Sequence, residues 1–116
     1  MNISYDGRIF RPVSNSATGE VGDGTLFHYH QKGDVVWAEY SGGHILFGTL
    51  IAKVLEDGSL DMRYQHVNAS RELMTGTCRS TPELLPDGPL RLHEKWQWTS
   101  GNLSSGESVI EEILAK

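Results

Sequence analysis

Apolar and polar residues alternate along most of this chain, between about residues 8 and 115. The pattern is clearest at residues 60–65 and 90–98, where nearly every second residue is apolar. A period of two places successive side chains on opposite faces of a strand. The sequence therefore predicts an all-β protein whose antiparallel sheet has one buried face and one solvated face.

Eight segments carry this alternation and are predicted as strands: residues 8–13, 25–31, 35–41, 44–55, 60–67, 73–80, 90–100 and 107–115. Tight turns separate several of them, and Gly33, Gly43, Gly58 and Gly88 supply the positive φ angles that such hairpins need. Short links join strands that are neighbours in space, which predicts an up-and-down meander. A sheet of about eight such strands is expected to close into a lipocalin-like barrel.

Two stretches interrupt the alternation. Residues 14–24 are rich in Gly, Ser and Asp, and this composition predicts an extended loop. Residues 81–86 contain Pro82 and Pro86. They predict an irregular segment, because proline cannot donate a hydrogen bond to a central strand ladder.

The C-terminal segment fits two structures. Ser104 and Glu107 have the spacing of a helix capping box, which would place Val109 and Ile113 on one helical face with Ile110 and Leu114. As a strand, the same segment places Val109 and Ile113 on one face with Glu111 between them. We favour the strand, because a last strand that pairs with the first covers an exposed sheet edge and closes the barrel.

Composition narrows the class of protein and its partners. A chain of 116 residues predicts one domain, residues 1–116, of ordinary soluble composition. Fifteen acidic and ten basic residues give a net charge of −5, which argues against nucleic acid or an anionic membrane as partner. The single cysteine excludes an intrachain disulfide, and the first residues lack the features of a signal peptide. Together these features predict a cytoplasmic protein.

Polar side chains interrupt the apolar face of several strands. In the strand over residues 90–100, Glu94 shares a face with Trp96 and Trp98. A buried carboxylate must be hydrogen-bonded, paired or protonated. If these faces line a barrel lumen, they would orient a small ligand against aromatic walls. The predicted ligand-binding residues are Trp37, Glu39, Tyr64, His66, Glu94, Trp96 and Trp98.

Two other interpretations of these residues remain open. In the first, Glu94 pairs with Arg63, Arg79 or His66 and fixes the register of the sheet. In the second, the tryptophans fill the interior and leave no cavity.

Residues with catalytic or metal-binding chemistry are sparse. His28 and His30 share a strand face at a spacing that suits two metal ligands, but apolar Phe27 and Tyr29 alternate with them and favour a solvent-facing pair. Cys78 shares a face with Met74 and is expected to be a buried structural residue. The sequence has no P-loop, dinucleotide fingerprint, Gly-x-Ser-x-Gly or His-Glu-x-x-His motif. No catalytic residue, metal or cofactor is assigned.

Several segments resemble a family of small bacterial proteins that are labelled N-acetylglutamate synthase-like. The resemblance is carried by residues 37–45, 57–61, 91–98 and 105–108 and covers nearly the whole chain. It implies an N-acetyltransferase, although the Arg/Gln-x-x-Gly-x-Gly/Ala turn that binds acetyl-CoA does not occur in this sequence. In shape, the predicted meander resembles the calycin barrels, which include the lipocalins.

Three functions follow as hypotheses. The leading one is a non-catalytic barrel that binds a small molecule in its interior. The second is a structural module that forms a homo-oligomer through strand edges or an apolar outer face. The third is an enzyme, either the N-acetyltransferase that the family label implies or a metal-dependent protein built on His28 and His30.

Overall fold

A computed structural model describes residues 3–16 and 19–114, and it contains eight strands connected in sequence order. The strands are β1 (Ile9–Asn15), β2 (Leu26–Lys32), β3 (Val35–Gly42), β4 (Ile45–Val54), β5 (Leu60–Asn68), β6 (Leu73–Leu84), β7 (Leu90–Trp98) and β8 (Ser105–Glu112). Each strand pairs antiparallel with the next, and β1 pairs with β8. This closed up-and-down barrel confirms the predicted all-β fold class.

The last strand closes the barrel. β8 lies antiparallel to β1, with Phe10 opposite Glu112 and Asn15 opposite Ser108. Val109 and Ile110 therefore belong to a strand, which confirms that interpretation over the helical one. The predicted end of this strand at Ala115 lies outside the described residues. The described part of the chain contains no helix that is long and apolar enough to cross a membrane.

The segment that contains Pro82 is regular strand, so the prediction of an irregular stretch over residues 81–86 is wrong for its first four residues. β6 continues to Leu84, with Pro82 opposite Leu92. The continuation is possible because β5 pairs with β6 only as far as Ser80. Beyond that point β6 has β7 as its only strand partner, and proline is tolerated at such an edge.

Two turns share one structure. The Gly58 amide donates to the Leu55 carbonyl at 2.9 Å, and the Gly88 amide donates to the Leu85 carbonyl at 3.0 Å. Their φ angles are 86° and 103°, which residues with a side chain rarely adopt. These hairpins lie at the end of the barrel that also holds the β2–β3 turn, and we call it the closed end. The opposite end, with the β1–β2, β3–β4, β5–β6 and β7–β8 connections, is the open end.

The closed end is filled by side chains. Tyr5, from the segment before β1, is fully buried, and its hydroxyl donates to the Gly58 carbonyl at 2.6 Å. The Tyr29 ring lies with its centroid 6.2 Å from Tyr5 and 4.8 Å from Phe10. Aliphatic side chains from four strands complete this half of the core: Val36, Leu60, Leu90, Leu92 and Ile110.

Candidate functional site

A cavity occupies the half of the barrel that lies next to the open end. The empty space between its lining atoms, including its open mouth, is about 470 Å³. The part of this space that the centre of a water molecule can occupy is about 50 Å³. Fifteen described residues line it: Asn15, Gly19, Glu20, Val21, Phe27, Tyr40, Leu50, Met62, Tyr64, His66, Cys78, Glu94, Trp96, Trp98 and Ser108. The interpretation in which the tryptophans leave no cavity is therefore wrong.

Glu94 lies at the inner end of this cavity. Its strand β7 runs between β6 and β8, so Ser80 and Ser108 are its direct cross-strand neighbours. The Ser80 hydroxyl donates to Oε2 at 3.1 Å, and the Ser108 hydroxyl donates to Oε1 at 3.3 Å. Burial raises the pKa of the Glu94 carboxyl from 4.5 to about 7, although the two hydroxyl groups act in the opposite direction.

The predicted internal ion pair of Glu94 does not form with any of the three suggested partners. Arg63 lies on the outer surface and donates to Asp61 at 2.8 Å, and Arg79 is exposed. The His66 ring is bonded to other groups. Glu94 is instead held by the two neutral hydroxyl groups.

His66 joins the barrel wall to the β1–β2 connection. Its Nε2 lies 2.8 Å from Oε1 of Glu20, and its Nδ1 lies 3.0 Å from the Tyr40 hydroxyl. A carboxylate can only accept a hydrogen bond, so Nε2 donates, and in the neutral ring Nδ1 accepts from Tyr40. Asn68 also donates to the Glu20 carboxylate, at 3.1 Å. These bonds hold Glu20 over the mouth of the cavity.

Aromatic rings form a continuous wall around the cavity. Ring centroids are 4.9 Å apart for Phe27 and Tyr40, 5.7 Å for Tyr40 and His66, and 5.6 Å for His66 and Trp98. Trp98 continues the wall to Tyr64 at 5.6 Å and to Trp96 at 5.8 Å. The wall gives the cavity apolar surfaces between Glu94 inside and Glu20 at the mouth.

Small residues make room for these rings. A Cβ atom on Gly48 would come within 2.7 Å of the His66 Cβ, and one on Gly106 would lie 2.6 Å from the Trp96 ring. Gly76 faces the Tyr64 ring in the same way. The aromatic side chains therefore occupy space that a side chain on the neighbouring strand would take.

Five of the seven residues predicted to bind a ligand line the cavity: Tyr64, His66, Glu94, Trp96 and Trp98. The placement of the other two, Trp37 and Glu39, in the lumen is wrong. Both lie on the outer face, where Trp37 is 38% exposed and stacks on His30, and Glu39 lies 2.9 Å from His30 Nε2. The alternation of β3 directs Val36, Ala38 and Tyr40 inward instead.

Several lining residues were not predicted from the sequence. Tyr40 lies on the inward face of β3. This face is hard to assign from the sequence, because the strand begins with two apolar residues in succession, Val35 and Val36. Asn15 and Glu20 reach the cavity from the end of β1 and from the loop that follows it, where no periodicity marks them.

The other residues considered for metal binding or catalysis, His28, His30 and Cys78, do not lie together in one site. His28 is exposed, and His30 contacts Trp37 and Glu39 on the outer face. Within residues 3–16 and 19–114, no group of three metal-ligating side chains could hold a metal ion. Cys78 is buried, as predicted, and lines the cavity, where burial raises the pKa of its thiol far above the usual range.

No curated protein and no solved structure matches this chain significantly. A family profile does match: the family described as avidin-like protein, over residues 3–113. Nothing in this match supports the label N-acetylglutamate synthase-like, whereas the eight-stranded closed barrel agrees with a calycin-like fold. The match spans almost the whole chain, and the chain therefore belongs to the avidin-like protein family.

Proposed function

We propose that this protein is a non-catalytic barrel that binds a small molecule in the half of its lumen next to the open end. The observation that carries the proposal is the cavity itself, which combines aromatic walls with a small number of polar groups directed into it. This combination is typical of ligand pockets, where apolar surface supplies affinity and polar groups fix orientation. The closed end is packed solid around Tyr5, so a ligand enters at the open end.

The dimensions of the cavity limit the ligand. Pockets for drug-sized molecules enclose roughly 300–1,000 Å³. In this cavity, the volume that the centre of a water molecule can occupy is only about 50 Å³. A ligand of a single ring fits by displacing a few water molecules and part of the covering loop. A larger one requires residues 19–24 to move, which breaks the bonds of Glu20 with His66 and Asn68.

The chemistry of the lining supports binding rather than catalysis. A cysteine nucleophile must be a thiolate, and burial holds the Cys78 thiol protonated. His66 is 2.8 Å from Glu20 and 3.0 Å from the Tyr40 hydroxyl, so both ring nitrogens are engaged in bonds that support the wall. These groups shape the cavity and orient its occupant.

Titration with two small probes, one uncharged and one that carries a carboxylate, tests the proposal. Benzyl alcohol is a ligand of a single ring, and biotin is included because avidin-like proteins bind small ligands such as biotin. We expect at least one probe to change the tryptophan fluorescence saturably, because Trp96 and Trp98 line the cavity. The variant Cys78→Phe, which fills the cavity, is expected to abolish this binding.

The matched control is Thr77→Phe, which adds the same ring one residue away on the outer face of β6. It should bind the probes like the unmodified protein. Circular dichroism and a thermal midpoint confirm that both variants are folded. Failure of the unmodified protein to bind either probe, or binding that survives Cys78→Phe, would overturn the proposal.

A further inference from the structure

The cavity carries an uneven set of charges. Two carboxylate side chains, Glu20 and Glu94, line it, and none of the described lining residues is Lys or Arg. Glu20 is occupied by hydrogen bonds from His66 and Asn68 at the mouth. Glu94 lies deeper, and its only hydrogen-bond donors among the described residues are Ser80 and Ser108.

The titratable groups that interact with Glu94 are all neutral when protonated. They come from four other strands and are Tyr29, Tyr40, Tyr64 and Cys78. Burial raises the pKa of each of these groups, and the charge of Glu94 raises it further. No Lys or Arg among the described residues therefore compensates an ionised Glu94 from inside the barrel, and the His66 ring, which can carry a positive charge when protonated, is bonded to Glu20 at the mouth.

Glu94 is nevertheless accessible from the cavity. It lies on the inward face of β7, and it is one of the residues that line the cavity. A second acceptor faces the same space: Oδ1 of Asn15 is buried and has no hydrogen-bond partner among the residues that the structure describes. The cavity thus offers acceptors that a donor-rich ligand would satisfy.

Aromatic rings complete this environment. Trp96 and Trp98 share the inward face of β7 with Glu94, and Tyr64 contacts Trp98 with ring centroids 5.6 Å apart. The faces of such rings attract a cation, most strongly when both partners are removed from water. A carboxylate beside several aromatic faces is therefore suited to an ammonium group attached to an apolar body.

We propose that the ligand of this lumen is a small organic amine whose ammonium group binds the Glu94 carboxylate and whose apolar body packs against Trp96 and Trp98. The proposal rests on the function proposed above and names its ligand class. A bound cation supplies the positive charge that the lumen lacks, and the hydrogen bond it forms with a carboxylate is stronger than one between neutral groups. Burial already raises the pKa of Glu94, so in the empty barrel this carboxyl binds a proton more readily than an exposed glutamate does.

Three probes of matched shape test the ligand class: benzylamine, benzyl alcohol and benzoate. Isothermal titration is carried out at about pH 8, where the amine is charged and the Glu94 carboxyl is ionised. We expect benzylamine to bind at least about tenfold more tightly than benzyl alcohol, and benzoate to bind more weakly than either. The comparison uses the unmodified protein, so it does not depend on whether a variant folds.

Two variants assign the preference to Glu94. Glu94→Gln keeps the shape of the side chain and should remove the preference for benzylamine while benzyl alcohol still binds. Glu107→Gln is the matched control, because Glu107 is exposed on the neighbouring strand β8. It should keep the full preference for the amine.

The outcomes separate this inference from the function on which it rests. Equal binding of benzyl alcohol and benzylamine overturns the amine class and leaves a ligand-binding lumen. Binding of none of the three probes and no binding of biotin overturns both proposals. A preference for benzylamine that persists in Glu94→Gln overturns the role of Glu94.

Discussion

At the scale of single residues, Glu94 is a carboxyl group in an environment that disfavours its charge. Its carboxyl group lies inside the barrel, with only the Ser80 and Ser108 hydroxyl groups as donors among the described residues. Removal from water disfavours the charged form, and two neutral hydroxyl groups compensate only part of that cost. The folded protein therefore holds a proton at Glu94 that an unfolded chain would release.

This proton makes the stability of the empty protein depend on pH. Between about pH 4.5 and pH 7 the folded state binds more protons at Glu94 than the unfolded state, so the contribution of Glu94 is most favourable below that window and is lost as the pH rises through it. The loss amounts to up to roughly 3 kcal/mol. We expect Glu94→Gln to raise the free energy of unfolding at about pH 8 and to change it little at about pH 4.

Urea unfolding of the unmodified protein and of Glu94→Gln at both pH values measures this difference. Glu107→Gln serves as the control, since its carboxyl group is exposed. Equal pH dependence in all three proteins would contradict the assignment of a buried carboxyl group.

The sequence predicts those site residues that lie on a strand whose alternation shows clearly which face points inward. Glu94, Trp96 and Trp98 were found because β7 alternates without interruption. Trp37 was placed on the wrong face because its size favours burial, whereas the strand directs Ala38 inward. Glu20 belongs to a loop, and only its bond with His66 shows its relation to the cavity.

At the scale of the strands, glycine and aromatic residues from adjacent strands fit together. Gly76 on β6 lies opposite both Tyr64 on β5 and Trp98 on β7. A Cβ atom at this position would meet the Tyr64 ring and would lie 2.8 Å from the backbone carbonyl oxygen of Gln97. The backbone contact cannot be relieved by a change of rotamer, because it belongs to a paired strand.

We therefore expect Gly76→Ala to destabilise the protein by about 1–3 kcal/mol, as insertion of atoms into a packed region does. Gly22→Ala is the control, since a Cβ atom there would have no neighbour within 4 Å. It should leave the stability unchanged or slightly increased. Thermal unfolding measures both variants, and an equal effect of the two substitutions would show that Gly76 does not have this role.

The strands themselves were predictable to within a few residues, because the period of two is strong in a barrel with one dry face and one wet face. The exception is β6, where Pro82 is a general signal against regular pairing. The sequence alone does not show that β5 has already ended at this point, so that Pro82 lies at an edge.

At the scale of the whole molecule, the closed eight-stranded barrel agrees with membership of the avidin-like protein family. Pairing of β1 with β8 closes the barrel, but β1 pairs with β2 only at Ile9 and Phe10, and β6 continues past its last pair with β5 at Ser80, so association through strand edges stays a prediction. Association through an apolar outer face, where Trp37 lies opposite Ile51, stays a prediction, as does the cytoplasmic location. The barrel also divides into a packed half around Tyr5 and a half that holds the cavity.

The three tryptophans report directly on whether this cavity binds a ligand. Trp96 and Trp98 line the cavity, and Trp37 lies on the outer face. The measurement is a titration with benzylamine in which the three indole N–H signals are followed by proton–nitrogen correlation NMR and assigned by single Trp→Phe substitutions. We predict saturable shifts of the Trp96 and Trp98 signals and an unchanged Trp37 signal. Shifts confined to Trp37, or none at all, would contradict a ligand-binding lumen.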